Sequence, residues 1–504
     1  MEKICPRNIS CKRKIKLTAI LLLIQSALFS QPLIYGRMED LPAITRKMAD
    51  IVKIAKRKGK KACLVMIPHL NNVEEVLKTM EVGRIEEELA KAVYSGLELK
   101  WDNASYIRGM TFLHALPEIQ EWNSKAKIHL TVRLLSTTNL PKGLNVIFRI
   151  IDPITKKVLK EKKFDKPITS SMILGYEVTT KFDMSKYPPG RYIGESEYII
   201  PGSKVNCPEF ENLRRSFFVL DHFNTIANQI GKKYLDLKKK FSSKKQKPDT
   251  LAFLVAVLGE LDRTVNPDRG NPPLVDIDQD IIFSRAIWWT KLLLEGHDIT
   301  EEVFGDIRIG VRSEKGIVVP MRIYIPPGIQ QHKKRAILYI PSIIGDENEI
   351  FDVFGGYELY SLANKYKIIV ASIQSGNVKD GGDILGPARD VLIKLFGIEE
   401  KEITISGLGR GASHALYEVL SRPNLWKKLI MISGPPVDPK NPAPLPNKRT
   451  IFIVGKMDPD KTYLQVAKNY AKKGECIYIE IPYAEKFLAL PLSLEKIIKL
   501  ASQK

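Results

Sequence analysis

From about residue 306 to residue 504 the chain repeats one pattern: a short run of β-branched and aliphatic residues, a turn, then a stretch with helical spacing. The runs are VVPMRIYIP, RAILYIP, YKIIVAS, EITISG, KLIMISG, RTIFIVG and CIYIEIP. Strands this apolar have no polar face to offer solvent, so they need helices over both faces of a mostly parallel sheet. Few folds meet that demand. Within this region, residues 403–420 read ITISGLGRGASHALYEVL. A strand from Ile403 enters a Gly-rich corner at Gly407 and Gly409, and a helix leaves it through Ala415, Leu416, Val419 and Leu420.

The 504 residues are too many for one ordinary core. At roughly 150 residues per domain, about three units are expected. Residues 37–124 are expected to form a helical N-terminal region, with Val73, Val76, Leu77, Met80, Ile85, Leu89 and Val93 at helical spacing. His69 has no second His or Cys near it and reads as a turn or packing residue rather than a ligand. Between 125 and 221 the spacing becomes alternation in KIHLTVRLL, LNVIFRII, YEVTTKF, RYIGESEYII and SFFVL, punctuated by Lys142-Gly143, Asp152-Pro153 and Pro188-Pro189-Gly190. Short strands so arranged predict a β-sandwich. Helical spacing returns over 222–303, a linker interrupted by a basic loop. There Trp288 and Trp289 offer either a sugar platform or core packing, and since neighbouring helix positions diverge, the core suits at least one of them.

The net charge of +21 is unevenly placed. Residues 1–60 carry fourteen Lys or Arg against four acids, and residues 231–248 carry eight Lys against Asp236. The remainder is close to neutral, which argues against a specific nucleic-acid face. Lys238, Lys239, Lys240, Lys244, Lys245 and Lys247 form either a solvated loop or an electrostatic hold on an anionic surface. Six basic residues from Lys3 to Lys16 precede the apolar run LTAILLLIQSALF, the layout of a signal peptide over 1–36, with a signal anchor as the alternative. The protein is therefore expected to be exported: periplasmic, extracellular, or membrane-anchored facing out. Export leaves Cys63, Cys207 and Cys476, whose wide spacing suggests neither a metal site nor a disulfide framework, and no cofactor is expected.

Two resemblances follow from these motifs. SKYPPGRYIGESE, residues 185–197, resembles the turn-into-strand of immunoglobulin-like modules. Over residues 304–504, the order of parts resembles α/β-hydrolases of the esterase and prolyl-oligopeptidase-like kind. Those parts are a hairpin ending YIPPG, a strand into a turn, the Gly-rich corner, SGPP, and a strand-G-x-x-D segment. The family resemblance implies a serine at the centre of a G-x-S-x-G elbow, an acid, a late histidine, and backbone donors for an oxyanion. Carried across position by position, the nucleophile falls on Gly409, the acid on Asp458 in VGKMDPDK, and the histidine near Glu485, with Lys486 beside it. The last histidine of the chain is His414, so the family order of serine, acid, histidine cannot be assembled. In the oxyanion turn, where the family usually has His-Gly, this chain has Pro341-Ser342, and proline has no N–H to donate.

Ser413 beside His414, or Ser342 in the oxyanion turn, leaves a non-standard nucleophile open. GLGRGA also matches a dinucleotide fingerprint through Gly407, Gly409 and Ala412, but the next strand, KLIMISG, ends without the acid that would hold a ribose. The expectation is a multi-domain, exported protein: helical segments, an all-β immunoglobulin-like sandwich, and an α/β-hydrolase-like domain without a working triad. It would act by binding a small molecule, peptide or polysaccharide in the cleft over Gly409, Arg410, Ser342 and Asp458. The alternatives are an esterase or peptidase with a non-standard serine, and a structural envelope or extracellular binding protein.

Overall fold

The computed structural model describes residues 41–77, 81–117, 127–134, 145–164, 176–199, 214–219 and, apart from short internal stretches, 305–503. The segment 1–36, Cys207, Trp289, the basic run from Lys238 to Lys247 and nearly all of 222–303 lie outside the described residues.

Helical spacing between 41 and 96 resolves into α1 (Leu41–Lys58), α2 (Lys60–Leu77) and α3 (Val82–Gly96). In α1 the buried positions Ile44, Met48, Ile51, Val52 and Ala55 recur every three to four residues and make one apolar stripe. Beneath it a wholly buried ion pair joins Lys47 of α1 to Glu86 of α3. His69 bridges α2 to α3, its Nδ1 3.0 Å from Glu88 Oε2 and its Nε2 3.3 Å from Ser95 Oγ, which makes it a packing residue. A short helix, α4 (Asn103–Gly109), starts where the Asp102 side chain accepts from Ser105 N at 2.9 Å.

Seven strands follow. They are β1 (Thr111–Pro117), β2 (Lys127–Leu134), β3 (Asn145–Ile151), β4 (Val158–Phe164), β5 (Tyr176–Asp183), β6 (Gly190–Ile199) and β7 (Arg214–Val219). They form two antiparallel sheets, ordered β1-β2-β5 and β4-β3-β6-β7, and Leu113, Leu130 and Val132 of the first share one apolar cluster with Phe148, Tyr198 and Phe217 of the second. The first strand begins at Thr111, inside the stretch that helical spacing assigned to the N-terminal region. Where the chain crosses from β5 to β6, Tyr192 Oη donates to Pro188 O at 2.7 Å and pins the turn.

The last eight strands are β8 (Gly305–Arg312), β9 (Val318–Ile325), β10 (Ala336–Ile340), β11 (Ile369–Ile373), β12 (Ile403–Leu408), β13 (Lys428–Ile432), β14 (Thr450–Gly455) and β15 (Cys476–Ile481). They form one sheet ordered β8-β9-β11-β10-β12-β13-β14-β15. β9 runs antiparallel to both its neighbours, and β10 through β15 are parallel wherever they pair. With a Gly-rich corner at the end of β12, this is an α/β-hydrolase-like domain.

The helices of this domain are α5 (Gly356–Tyr366), α6 (Val378–Phe396), α7 (Arg410–Ser421), α8 (Lys461–Lys472), α9 (Lys486–Leu492) and α10 (Leu494–Ser502). Alternate residues of a strand face opposite sides. Leu338, Ile405, Met431 and Phe452 accordingly pack with Leu392, Ala415, Leu416 and Ala467 of α6, α7 and α8. Ile337, Tyr339, Ile430 and Ile453 face the other way and cluster with Leu488 and Ile497, and with Ile44, Ile51, Leu70 and Leu89 from the N-terminal helices. The first three helices therefore complete one face of a sheet that begins more than two hundred residues later.

That joint core makes a testable claim. Ile51→Ala in α1 should lower the unfolding free energy of the hydrolase-like domain by about 2–5 kcal/mol, the usual range for emptying a buried aliphatic site. The denaturant midpoint of that domain reports it; an unmoved midpoint would mean the helices fold apart from the sheet.

Candidate functional site

The corner after β12 keeps the backbone of a nucleophile elbow. Gly409 has φ 56° and ψ −116°, a region that side chains of L-residues adopt only under strain. Its N–H donates to Ile432 O at 2.9 Å, fixing the corner against β13. The glycines on either side are there for space. A Cβ on Gly407 would stand 2.3 Å from the backbone of Gly411, and one on Gly411 would stand 2.3 Å from Ile340 O. Helix α7 can start this close to β10 and β12 only because both positions lack side chains. Gly407, Gly409 and Ala412, which also fit the dinucleotide pattern, are thus accounted for by the packing of the corner itself.

At Gly409 the limit is different. A Cβ there would meet the Cε of Lys486 at 3.2 Å, with Ser433 O 4.0 Å away. The lysine would have to move to admit a nucleophile's side chain. It is also held in place: Lys486 Nζ lies 2.6 Å from Glu74 Oε1, a carboxylate delivered by α2 across 412 positions of sequence. Both side chains are largely buried, at 22% and 14% exposure.

The other two triad positions carry carboxyl groups. Asp458 follows β14 and is buried, with Oδ1 accepting from Asp460 N at 3.0 Å. Burial pushes its pKa up to about 6; Glu74 adds to the rise and Lys486 opposes it. Glu485 is fully buried, and its Oε1 caps α9 by accepting from Phe487 N at 2.8 Å and Leu488 N at 2.9 Å. Its Oε2 has no hydrogen-bond partner among the described residues. Burial above all, and then Asp458 and Glu74, push its pKa up to about 8 against the two amide bonds. The centre thus holds three carboxyl groups, Asp458, Glu485 and Glu74, with the Lys486 ammonium beside Asp458 and Glu74, and the position expected to carry the histidine carries Glu485.

The turn that holds Ser342 packs against this corner, since a Cβ on Gly411 would stand 2.4 Å from Pro341 O. Ser342 donates through both its N–H (3.0 Å) and its hydroxyl to the buried Glu349, which Tyr339 Oη also reaches at 2.6 Å. Burial pushes Glu349 up to about 7. Ser413 and His414 sit in the first turns of α7, and adjacent helical residues point about 100° apart, which keeps the imidazole from serving its neighbour. Burial, then the positive charge of Arg410, pull His414 down to about 4. Arg410 is the first residue of α7 and half-buried. Among the described residues no group of three or more His, Cys, Asp or Glu is arranged to hold a metal ion. Cys63 is buried and Cys476 half-buried, both as free thiols.

Three participants carry no sequence signal. Glu74 is one of many acids on a charged helix, Glu349 lies seven residues beyond the serine it binds, and Ser433 takes φ 41° at the end of β13 beside the corner.

No family model matches the sequence, and no curated protein matches it. Among solved structures, the chain is similar to an S-formylglutathione hydrolase from Staphylococcus aureus at 11% identity, over 40% of this chain and 99% of that one, with a TM-score of 0.34. It is also similar to a ferulic acid esterase from Anaeromyces mucronatus at 14% identity, over 40% of this chain and 93% of that one, with a TM-score of 0.32. The fold of residues 305–503 is read from its own strand order and corner.

The raised carboxyls set a pH dependence. A group whose folded pKa lies above its unfolded value stabilises the fold fully below the unfolded value and loses that contribution as pH rises through the folded one. For Glu485 that window runs from 4.5 to about 8, and for Asp458 from 3.8 to about 6. Thermal stability should therefore fall between pH 5 and pH 8.5, and Glu485→Gln should flatten the fall; a wild-type Tm constant across that range would contradict these assignments.

Proposed function

We propose that this protein is a catalytically silent member of the α/β-hydrolase fold that acts by binding. One observation carries the reading: the elbow keeps its backbone but bears glycine, and Lys486, anchored by Glu74, stands against the space a nucleophile would need. Glycine offers no attacking atom. A lysine paired to a carboxylate is protonated and cannot act as a general base without first losing that partner. The oxyanion turn is altered as well, since Pro341 has no N–H and the Ser342 N–H is spent on Glu349, which leaves the Arg410 N–H after the corner without its usual second donor. Losses at the nucleophile, the base and the oxyanion turn point in one direction, whereas an esterase using Ser342 or Ser413 would need each of them re-created elsewhere.

We extend the proposal to the rest of the chain. Residues 111–219 are read as an immunoglobulin-like sandwich, supported by the three- and four-stranded sheet orders and by the Tyr192 to Pro188 bond, which has the form of a tyrosine corner. Export through residues 1–36, and contact with an anionic surface through the lysines of 238–247, rest on sequence layout. The binding partner is then an extracytoplasmic small molecule, peptide or polysaccharide.

Fluorophosphonate treatment of the purified protein, read by intact mass beside an active serine hydrolase, tests the silent centre. The expected result is no adduct. A stoichiometric adduct mapping to Ser342 or Ser413 would replace this reading with the esterase one.

A further inference from the structure

We propose that the joint between the N-terminal helices and the hydrolase-like domain is a proton-controlled latch, seated while Glu485 is neutral and loosened when Glu485 becomes a carboxylate. The inference rests on the lysine-filled cleft described above but not on the absence of catalysis, so a reactive serine would leave it standing.

The charges at the joint do not balance once Glu485 ionises. From α2 it is faced by Glu74 and by the buried Cys63 thiol, from the turn after β14 by Asp458, and from its own helix by the amides of Phe487 and Leu488, while Lys486 stands beside Asp458 and Glu74. The cation among these, Lys486, is already paired with Glu74. One oxygen of Glu485 has two amide donors, while the other is buried without a partner among the described residues. As a neutral acid the group fits this setting. As a carboxylate it adds a buried negative charge beside two others, with no cation of its own to offset it among the groups that face it.

The consequence falls on α2. Cys63 and Glu74 are eleven residues apart, three helical turns, and so lie along one face of that helix, the face turned to α9 and the elbow. Glu74 supplies the polar tie from this face to Lys486, and repulsion from an ionised Glu485 acts directly against it. The apolar cluster that α1, α2 and α3 share with the sheet, to which α2 gives Cys63, Met66, Leu70, Val73 and Val76, carries none of this charge and still holds the helices. The opening is therefore a partial loosening of α2 in place, at its polar tie, rather than a detachment of the helices.

Cys63 is a reporter already in place, because it is buried on α2 and senses Glu485, which together with burial raises its pKa. N-ethylmaleimide labelling of Cys63 in the full chain, mapped by peptide mass, should be followed from pH 6 to pH 9. Each rate is divided by that of the denatured protein at the same pH, to remove the intrinsic thiolate effect. One unit above its pKa an acid is ionised about 10:1, so the normalised wild-type rate should rise at least about tenfold across the range. Glu485→Gln should stay flat within about twofold, since a neutral amide cannot generate the charge. Asp458→Asn, which removes a neighbouring negative charge, should move the rise to lower pH. No rise in the wild type, an equal rise in Glu485→Gln, or an unmoved midpoint in Asp458→Asn would overturn the latch. Circular dichroism at each pH confirms that both variants are folded, and Asp458→Asn keeps the test decisive should Glu485→Gln not fold.

Discussion

A side chain at position 409 would have to share its space with Lys486, and much of this molecule follows from that conflict. The corner between β12 and α7 is built of glycines that let a helix start against two strands, and its positive-φ centre is the point from which a hydrolase presents its nucleophile. With glycine there the strain is relieved and no side chain leaves the corner. The aliphatic stem of a lysine borders it, and its ammonium is neutralised by a carboxylate from the far end of the sequence. The corner is bordered by an ion pair that ties it to the protein's own N-terminal helices.

That tie is consistent with how the sheet is covered. A doubly covered sheet needs apolar partners on each face, and α5, α9 and α10 share one face with α1, α2 and α3. The ion pairs of Lys47 with Glu86 and of Lys486 with Glu74 are among the polar contacts within and beneath this cover, beside that of Lys56 in α1 with Glu358 in α5. Buried pairs of this kind contribute little net stability but penalise any arrangement that separates them, so they fix how the helices dock rather than how strongly. Apolar area supplies the strength, and the charges supply the register.

Most strands of the C-terminal sheet were legible because the central ones, β10 to β14, are buried on both faces and so read as nearly unbroken apolar runs, and even the edge strand β15 keeps its isoleucines; the runs from VVPMRIYIP to CIYIEIP all became strands. The strands missed in the two smaller sheets have the opposite character. β4, VLKEKKF, is an edge strand whose lysines face solvent and blunt the open edge, so its sequence looks like a loop. β1, TFLHALP, is short and ends in proline. Gly409, Asp458 and Glu485 could be located as positions because the corner and the strand-G-x-x-D turn are local motifs. Glu74 could not, since its role depends on a contact spanning 412 positions and no local pattern encodes it. Ser342 was legible as a turn residue, but the buried Glu349 that engages its N–H and hydroxyl belongs to a following segment whose acid looked unremarkable.

The most direct measurement is zero-length carbodiimide cross-linking of the native protein, with the linked peptides identified by mass. Lys486 and Glu74, at 2.6 Å and each partly accessible, should form an amide joining the α2 peptide to the α9 peptide, and Lys486→Met should abolish it. A Lys486 that instead remains unlinked and is readily acylated in the folded protein would contradict the account, because the lysine would then be free of Glu74 and the space over Gly409 open to a ligand.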